Sequence, residues 1–297
     1  MPLDIHTTFS GKRLVFCGTG KAFHSIIRDL AGMDFTITGL LDNDVQKHGT
    51  HLHGVEITPF QSINNIRYDH IVLATPFYAD IVRQLTGLGI DSNCLIRLGA
   101  SYSFDCSIFE THAAQQQLRN RNFTLISNDC WGGILYSWLG IQFQTPFINL
   151  VVPPQDYITL AGDIEYFLNQ DLIFHAEDQK NTYPVGALDG VRIHFVHDPT
   201  SHEAKLKWNR RIKRINRQNI FFKFETEDLP LIKSFDNLAV PRKIVFTRNQ
   251  SATSSSVILL QDHGVEGPQL HRTCSSCLRH IDLIKWLNTG IATPPEQ

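Results

Sequence analysis

Short apolar runs alternate with helix-like stretches through the first hundred residues, and that alternation leaves few folds open. Arg13–Cys17 has the character of a buried strand, Gly18-Thr19-Gly20 of a turn, and Ala22–Leu30 of a helix carrying Phe23, Ile26, Ile27 and Leu30 on one face. Thr36–Leu41 is a second strand ending in Asp42-Asn43-Asp44, and His70–Ala74 a third, stopped by Thr75-Pro76. A helix over Tyr78–Leu85 and a strand near Cys94–Leu98 complete the series. Strands separated by helical crossovers pair in parallel, so the pattern predicts a doubly wound, Rossmann-like α/β sheet. Gly99–Asn122 reads as a connector with a polar helix around Gln115-Gln116-Gln117-Leu118.

A second α/β unit begins at Phe123. The expected elements are a strand Phe123–Ser127, a helix through Trp138, a helix from Pro153-Pro154 to about Leu168, and a strand Val191–His197. A helix capped by Ser201 and running to about Arg217 follows, then strands at Ile220–Phe224, Lys243–Thr247 and Ser256–Leu260, and a last helix at Cys277–Leu287. With 297 residues the chain has room for two cores. The expected division is therefore 1–121 and 122–297, both α/β.

Composition limits the function classes. A hydrophobic share of 42% and a charged share of 19% are globular values, and a net charge of −2 gives no general attraction to nucleic acid or anionic membrane. No apolar run approaches the ~20 residues of a membrane span, and Met1–His6 lacks the pattern of a secretory signal. Six cysteines scattered at positions 17, 94, 106, 130, 274 and 277 suit free thiols in a reducing compartment. The expected location is the cytoplasm.

The turn Gly18-Thr19-Gly20 lies between strand and helix, where a dinucleotide-binding loop would lie. Gly18 and Gly20 would let the backbone approach a diphosphate, Lys21 opens the helix, and Asp42 ends the next strand in position for a ribose hydroxyl. The third glycine of that fingerprint is replaced by Phe23, which should push the helix off the sheet. Together with Gly39-Leu40-Leu41-Asp42-Asn43-Asp44, Gly54-Val55-Glu56-Ile57-Thr58-Pro59 and Leu73-Ala74-Thr75-Pro76, this region resembles the nucleotide-binding-type module of bacterial surface-sugar enzymes. The resemblance implies a nucleotide or sugar nucleotide as ligand.

Ser127-Asn128-Asp129-Cys130-Trp131-Gly132-Gly133 places a cysteine where a strand gives way to a helix, and a helix N-terminus favours a thiolate. His194 or His197 would serve as base, with Asp129 or Asp198 orienting it. The turn, Arg192-Ile193-His194-Phe195-Val196-His197-Asp198 and Trp208-Asn209-Arg210-Arg211 together resemble the bacterial domain-of-unknown-function family nineteen-nineteen over about Phe123–Glu266. Its members are described as exopolysaccharide biosynthesis proteins, which implies a transferase acting on a sugar-bearing substrate. The cysteine, Pro146-Phe147, the His-Asp pair and Arg210-Arg211-Ile212-Lys213-Arg214 also resemble proteins described as papain-like cysteine peptidases, without the Gly-Ser-Cys-Trp signature. That resemblance implies a cysteine-dependent hydrolase or acyltransferase. A non-catalytic protein binding a nucleotide sugar is the third reading.

On a helix, Lys207, Arg210, Arg211 and Arg214 share a face beside an apolar stripe of Trp208, Ile212 and Ile215. Guanidinium groups so placed suit phosphate or diphosphate. Arg210, Arg211 and Arg214, with Asn128 and Trp131, are the expected substrate contacts, and not all three arginines should find acidic partners. Cys274-x-x-Cys277 has His271 and His280 three positions to either side, but four ligands this close on one helix fit tetrahedral zinc poorly. Asp156, Asp163 and Glu165 read as a polar helix face, and His175, Glu177 and Asp178 as loop residues.

Overall fold

The computed structural model describes residues 5–75, 78–97, 104, 108–174, 182–261 and 269–295. They form two compact units, Met1–Gln117 with Ser137–Gln142 and Leu118–Tyr136 with Phe143–Gln297.

The first unit contains α1 (Ile5–Phe9), β1 (Lys12–Cys17), α2 (Lys21–Asp29), β2 (Phe35–Leu41), β3 (His51–Leu52), β4 (Val55–Thr58), β5 (His70–Leu73), α3 (Tyr78–Gly87), β6 (Leu95–Arg97) and α4 (Ile108–Gln117). Its sheet runs β3-β4-β2-β1-β5-β6 and is parallel except for the β3–β4 hairpin, which the apolar periodicity left unseen. Leu98, Gly99 and Pro76 lie outside the described residues. Successive residues of β1 alternate between two cores, Leu14 and Phe16 packing with α2, Val15 and Cys17 on the other face with Ile81 and Leu85. In the pairing register, Cys17 lies level with Leu41 and with Leu73. Gly18, Asp42 and Ala74 therefore follow on the same carboxyl edge.

Two details correct the reading of the glycine turn. Phe23 is fully buried and meets Phe16 edge-on at 5.4 Å, so the ring fills the gap that a third glycine would close. Asp42 is turned inward: it accepts from the Thr19 amide at 2.9 Å, the Thr19 hydroxyl at 2.5 Å and Lys47 Nζ at 2.9 Å. Desolvation works to raise its pKa, but the bonds from Thr19, the Asp44 amide and Lys47 outweigh it and hold the group near 2, below its ordinary 3.8. A depressed folded pKa adds stability above about 3.8 that is lost as pH falls toward 2. Melting temperature followed across that window should fall less steeply in Asp42→Asn than in wild type; parallel curves would contradict this account.

The second unit is built from β7 (Thr124–Ser127), α5 (Trp131–Trp138, its end grouping with the first unit), α6 (Pro154–Gly162), α7 (Ile164–Phe167), β8 (Ile173–Phe174), β9 (Val185–Leu188), β10 (Val191–His194), α8 (Ser201–Ile212), β11 (Ile220–Glu225), α9 (Leu229–Asp236), β12 (Lys243–Thr247), β13 (Val257–Leu259), α10 (Gln269–Ser276) and α11 (Leu283–Thr289). A parallel sheet orders β13-β12-β11-β7, and β10-β9-β8 form a separate antiparallel sheet. Trp208 anchors α8, 5.2 Å from Phe147 ring to ring and 2% exposed, while Tyr157 stacks on Phe224 at 5.2 Å.

Several expected boundaries shift where a side chain caps or a turn intervenes. The helix after Pro153 breaks at Asp163, whose carboxylate caps Tyr166 and starts α7. Strand β10 stops at His194 instead of His197, because Asp198 closes a turn onto the Phe195 carbonyl. The cap of α8 is Thr200 in place of Ser201, and the helix ends at Ile212 rather than Arg217, where Asn216 is tied to the Thr124 hydroxyl at 2.8 Å. Cys277–Arg279 is a 3-10 turn, and the last helix starts only where Asp282 caps Lys285. His175, Glu177 and Asp178 lie outside the described residues. No helix among the described residues is long and apolar enough to cross a membrane.

Candidate functional site

The carboxyl edge of the parallel sheet in the second unit concentrates charge. Lys223 lies near the end of β11, every residue of which is buried, and its side chain is fully enclosed. Its ammonium donates to Asp129 at 2.5 Å and to Glu225 at 2.8 Å, and lies 5.6 Å from the ring centres of both Trp131 and Phe246. Glu225 also accepts from Thr273 at 2.5 Å and from Arg248 at 3.3 Å. Arg248 in turn donates to Thr273, and its amide donates to Glu227. Burial pulls the Lys223 pKa down, but the two carboxylates beside it outweigh burial and leave it raised; desolvation likewise opposes, without cancelling, the lowering of Asp129 by Lys223. The cluster is charged and hydrogen-bonded throughout, the condition under which buried ions persist.

This arrangement reassigns three expected residues. The Asp129 carboxylate accepts from the Ser127 hydroxyl and from the Trp131 amide at 3.0 Å as well as from Lys223, so it caps α5 instead of orienting a histidine. The Asn128 side chain pairs reciprocally with the backbone of Glu225, accepting at 3.0 Å and donating at 3.1 Å, and so stitches β7 to β11. Trp131 is fully buried, edge-on to Phe246 at 5.3 Å. Asn128 and Trp131 shape the edge from within.

Arg211, Arg214, Cys130 and His194 meet along one irregular segment, 143–152. Arg214 reaches the Phe143 carbonyl at 3.4 Å and Arg211 the Ile148 carbonyl at 3.5 Å. The Cys130 sulfur lies 3.8 Å from the Leu150 carbonyl, His194 pairs with Val151 through its backbone, and the Asn128 carbonyl accepts from Val152. Asn149 adopts a positive φ of 58°, and its side chain occupies the space where a Cβ on Gly133 would stand. Segment 143–152 is thus the shared neighbour of the cysteine turn, the histidine strand and the arginine helix. Apart from Pro146-Phe147, nothing in the sequence singles it out, because it has no periodicity.

Cys130 does not have the character expected of it. Desolvation first, then the negative charge of Asp129, pushes its thiol up to about 12, against a smaller opposing effect of Lys223. Its hydrogen-bond partner among the described residues is the Leu150 carbonyl, and no histidine bonds it. The helix N-terminus meant to lower its pKa is already capped by Asp129. The His194 ring faces Tyr183 at 5.9 Å, and His197 lies in the turn beyond β10. Asp198 is bound to Lys207 at 2.5 Å rather than to a histidine. Iodoacetamide labelling of the native protein up to pH 9 should therefore leave Cys130 unmodified. Rapid labelling near neutrality, lost in His194→Ala, would restore the nucleophile.

Arg210 is exposed, Arg211 and Arg214 are partly buried, and none has a carboxylate within ion-pair distance among the described residues. On the same stretch Lys207 pairs with Asp198 and Arg217 with Glu165. Cys274 and Cys277 are buried, and desolvation raises both thiols, that of Cys277 to about 12. The side chain of His271 lies outside the described residues, and His280 accepts a bond from the Gln261 amide. In the first unit Gly18 adopts φ +93° and Gly20 begins α2 without a side-chain cap; Lys21 is exposed. Lys223, Glu225, Arg248 and Thr273 escaped the sequence reading. The available signal was a lysine inside the apolar run Ile220-Phe221-Phe222-Lys223-Phe224.

Two family models match this chain. Residues 10–96 match a family described as C2185-like, N-terminal. An uncharacterized protein of Haemophilus influenzae is 34% identical over 142 residues, covering 47% of this chain and 68% of that protein. The second match takes in α4, the charged sheet edge, segment 143–152 and the arginine helix: with residues 104–288 matched, the chain belongs to the family described as Domain of unknown function (DUF1919).

Proposed function

We propose that this chain is a transferase of bacterial surface or exopolysaccharide biosynthesis, acting on a sugar or sugar-nucleotide substrate at the carboxyl edge of its second unit. The observation that carries the reading is the cluster of Asp129, Lys223, Glu225 and Arg248 at the ends of adjacent parallel strands. Open α/β sheets take ligands beyond the carboxyl ends of their strands, and carboxylates flanked by cations offer both acceptors and donors to a hydroxyl-rich ligand. Asp129 and Arg248 keep part of their side chains exposed, 19% and 15%, and are the members a substrate would meet.

The first unit enters this reading as a Rossmann-like module that binds a nucleotide. Its support is the parallel order β4-β2-β1-β5-β6 with Gly18, Gly20 and Lys21 at the edge of the central strand. Asp42 then acts by fastening the glycine turn through Thr19, and Lys47 presents a cation beside it.

The test is thermal-shift and product analysis of the full chain with UDP-, GDP-, dTDP- and CMP-sugars, repeated on Arg248→Gln and Asp129→Asn. Stabilisation by one donor class, with transfer or hydrolysis lost in either variant while the fold is kept, is the expected result. Absence of any shift and any turnover across the panel would overturn the proposal.

A further inference from the structure

We propose that Arg210, Arg211 and Arg214, together with segment 143–149, form an oxyanion site of the second unit that takes the diphosphate of a ligand. The inference rests on the proposed sugar-transfer reading for the substrate class, while the anion binding itself stands on the geometry below.

Three guanidinium groups within two turns repel one another, and Arg211 is drawn out of water besides. Its face lies over the Phe143 ring at 5.4 Å, and one N–H reaches the Ile148 carbonyl at a loose 3.5 Å. Arg214 reaches the Phe143 carbonyl, equally loosely, at 3.4 Å. A guanidinium carries five N–H donors, so most of the donor capacity of both side chains is unspent among the described residues. The ring and the two carbonyls hold the guanidiniums in place without neutralising them. Neighbouring bases do receive counter-ions: Lys207 takes Asp198 and Glu203, and Arg217 takes Glu165. Asp198 lies near enough to act on Arg211 at longer range, but its carboxylate is bonded to Lys207.

The ionisation of Arg211 reflects the same imbalance. Desolvation first, then the charges of Arg210 and Arg214, lowers its pKa to about 10, with Asp198 acting in the opposite direction. Arg214 is lowered by the same two effects, burial and Arg210. A multivalent anion would relieve both. Planar, fixed guanidiniums match the paired oxygens of a diphosphate better than a single carboxylate, because each can donate two parallel bonds. The C-terminal end of α8 favours positive charge there. It does not replace an anion, since Arg211 and Arg214 are directed at segment 143–148.

The probe is inorganic pyrophosphate, titrated calorimetrically into the full chain at low and high salt. Binding should weaken at least tenfold in Arg211→Gln and in Arg214→Gln, and by less in exposed Arg210→Gln. Arg211→Lys, which keeps the charge without the fork, should recover only part. Circular dichroism of each variant, matching wild type, keeps a folding defect from imitating the result. UDP-glucose and farnesyl diphosphate, competed against pyrophosphate, distinguish a nucleotide sugar from a lipid-linked diphosphate as the source. Equal pyrophosphate affinity in wild type and all variants, or no binding by wild type, would overturn the site. Arginine-dependent pyrophosphate binding without turnover of any sugar nucleotide would uphold the site and count against the transferase reading alone.

Discussion

Lys223→Met should lower the unfolding free energy by about 3–5 kcal/mol, the cost of removing one partner from a buried ion cluster. The methionine fills the space of the lysine stem, so loss of packing adds little. What remains is Asp129 and Glu225, two carboxylates facing one enclosed position with no ammonium between them. Glu225 keeps Arg248 and Thr273, and Asp129 keeps Ser127 and the Trp131 amide, but none of these replaces a charge held at 2.5 and 2.8 Å. Urea denaturation of the variant measures the loss. Adding Asp129→Asn and Glu225→Gln should recover part of it, because neutral amides no longer require a counter-ion. A loss below about 1 kcal/mol in the single variant would mean that the cluster is solvated in solution rather than buried.

Gly18→Ala should cost about 2–4 kcal/mol, combining backbone strain with a collision. At φ +93° an L residue is strained, and its Cβ would stand 2.8 Å from the Ala74 carbonyl oxygen, a backbone atom that cannot swing aside. Gly20 offers the internal comparison. Its φ is −89° and nothing lies within 4 Å of the place a methyl group would take, so Gly20→Ala should cost less than about 1 kcal/mol. Hydrogen exchange of the amides of β1, β2 and β5 would report the difference, with protection lost in Gly18→Ala and kept in Gly20→Ala. Equal protection in the two variants would rule out close approach as the reason for Gly18.

The two glycines show how far local reasoning reaches. A glycine pair between strand and helix announces a turn, yet nothing in the residues says which one is compelled by φ and which is merely small. The neighbour that decides it, Ala74, directly follows the carboxyl end of β5. Asp42 followed the same course: its place at a strand end was readable, but its capture by Thr19 and Lys47 required the folded turn. In the second unit the strand-to-helix position of Cys130 was legible, and what opposes a thiolate there appears only in the folded turn. The dipole effect needs an open helix end, whereas Asp129 caps this one and Leu150 covers the sulfur.

The chain's own periodicities determined the parallel strands other than β4, the crossover helices α2 and α3, the buried Trp208, and a basic face on α8. These depend on which residues can leave water along one face of a short segment, a property each segment carries by itself. Tertiary structure alone decided the β3–β4 and β8–β9 pairings, the path of segment 143–152, and the burial of Lys223. It also decided which arginines lack a carboxylate partner among the described residues. Ionisation and hydrogen bonding depend on the distance to groups remote in sequence: Lys223 is 94 residues from Asp129, and Arg214 is 71 from Phe143. Those distances exist only once the sheet edge has closed.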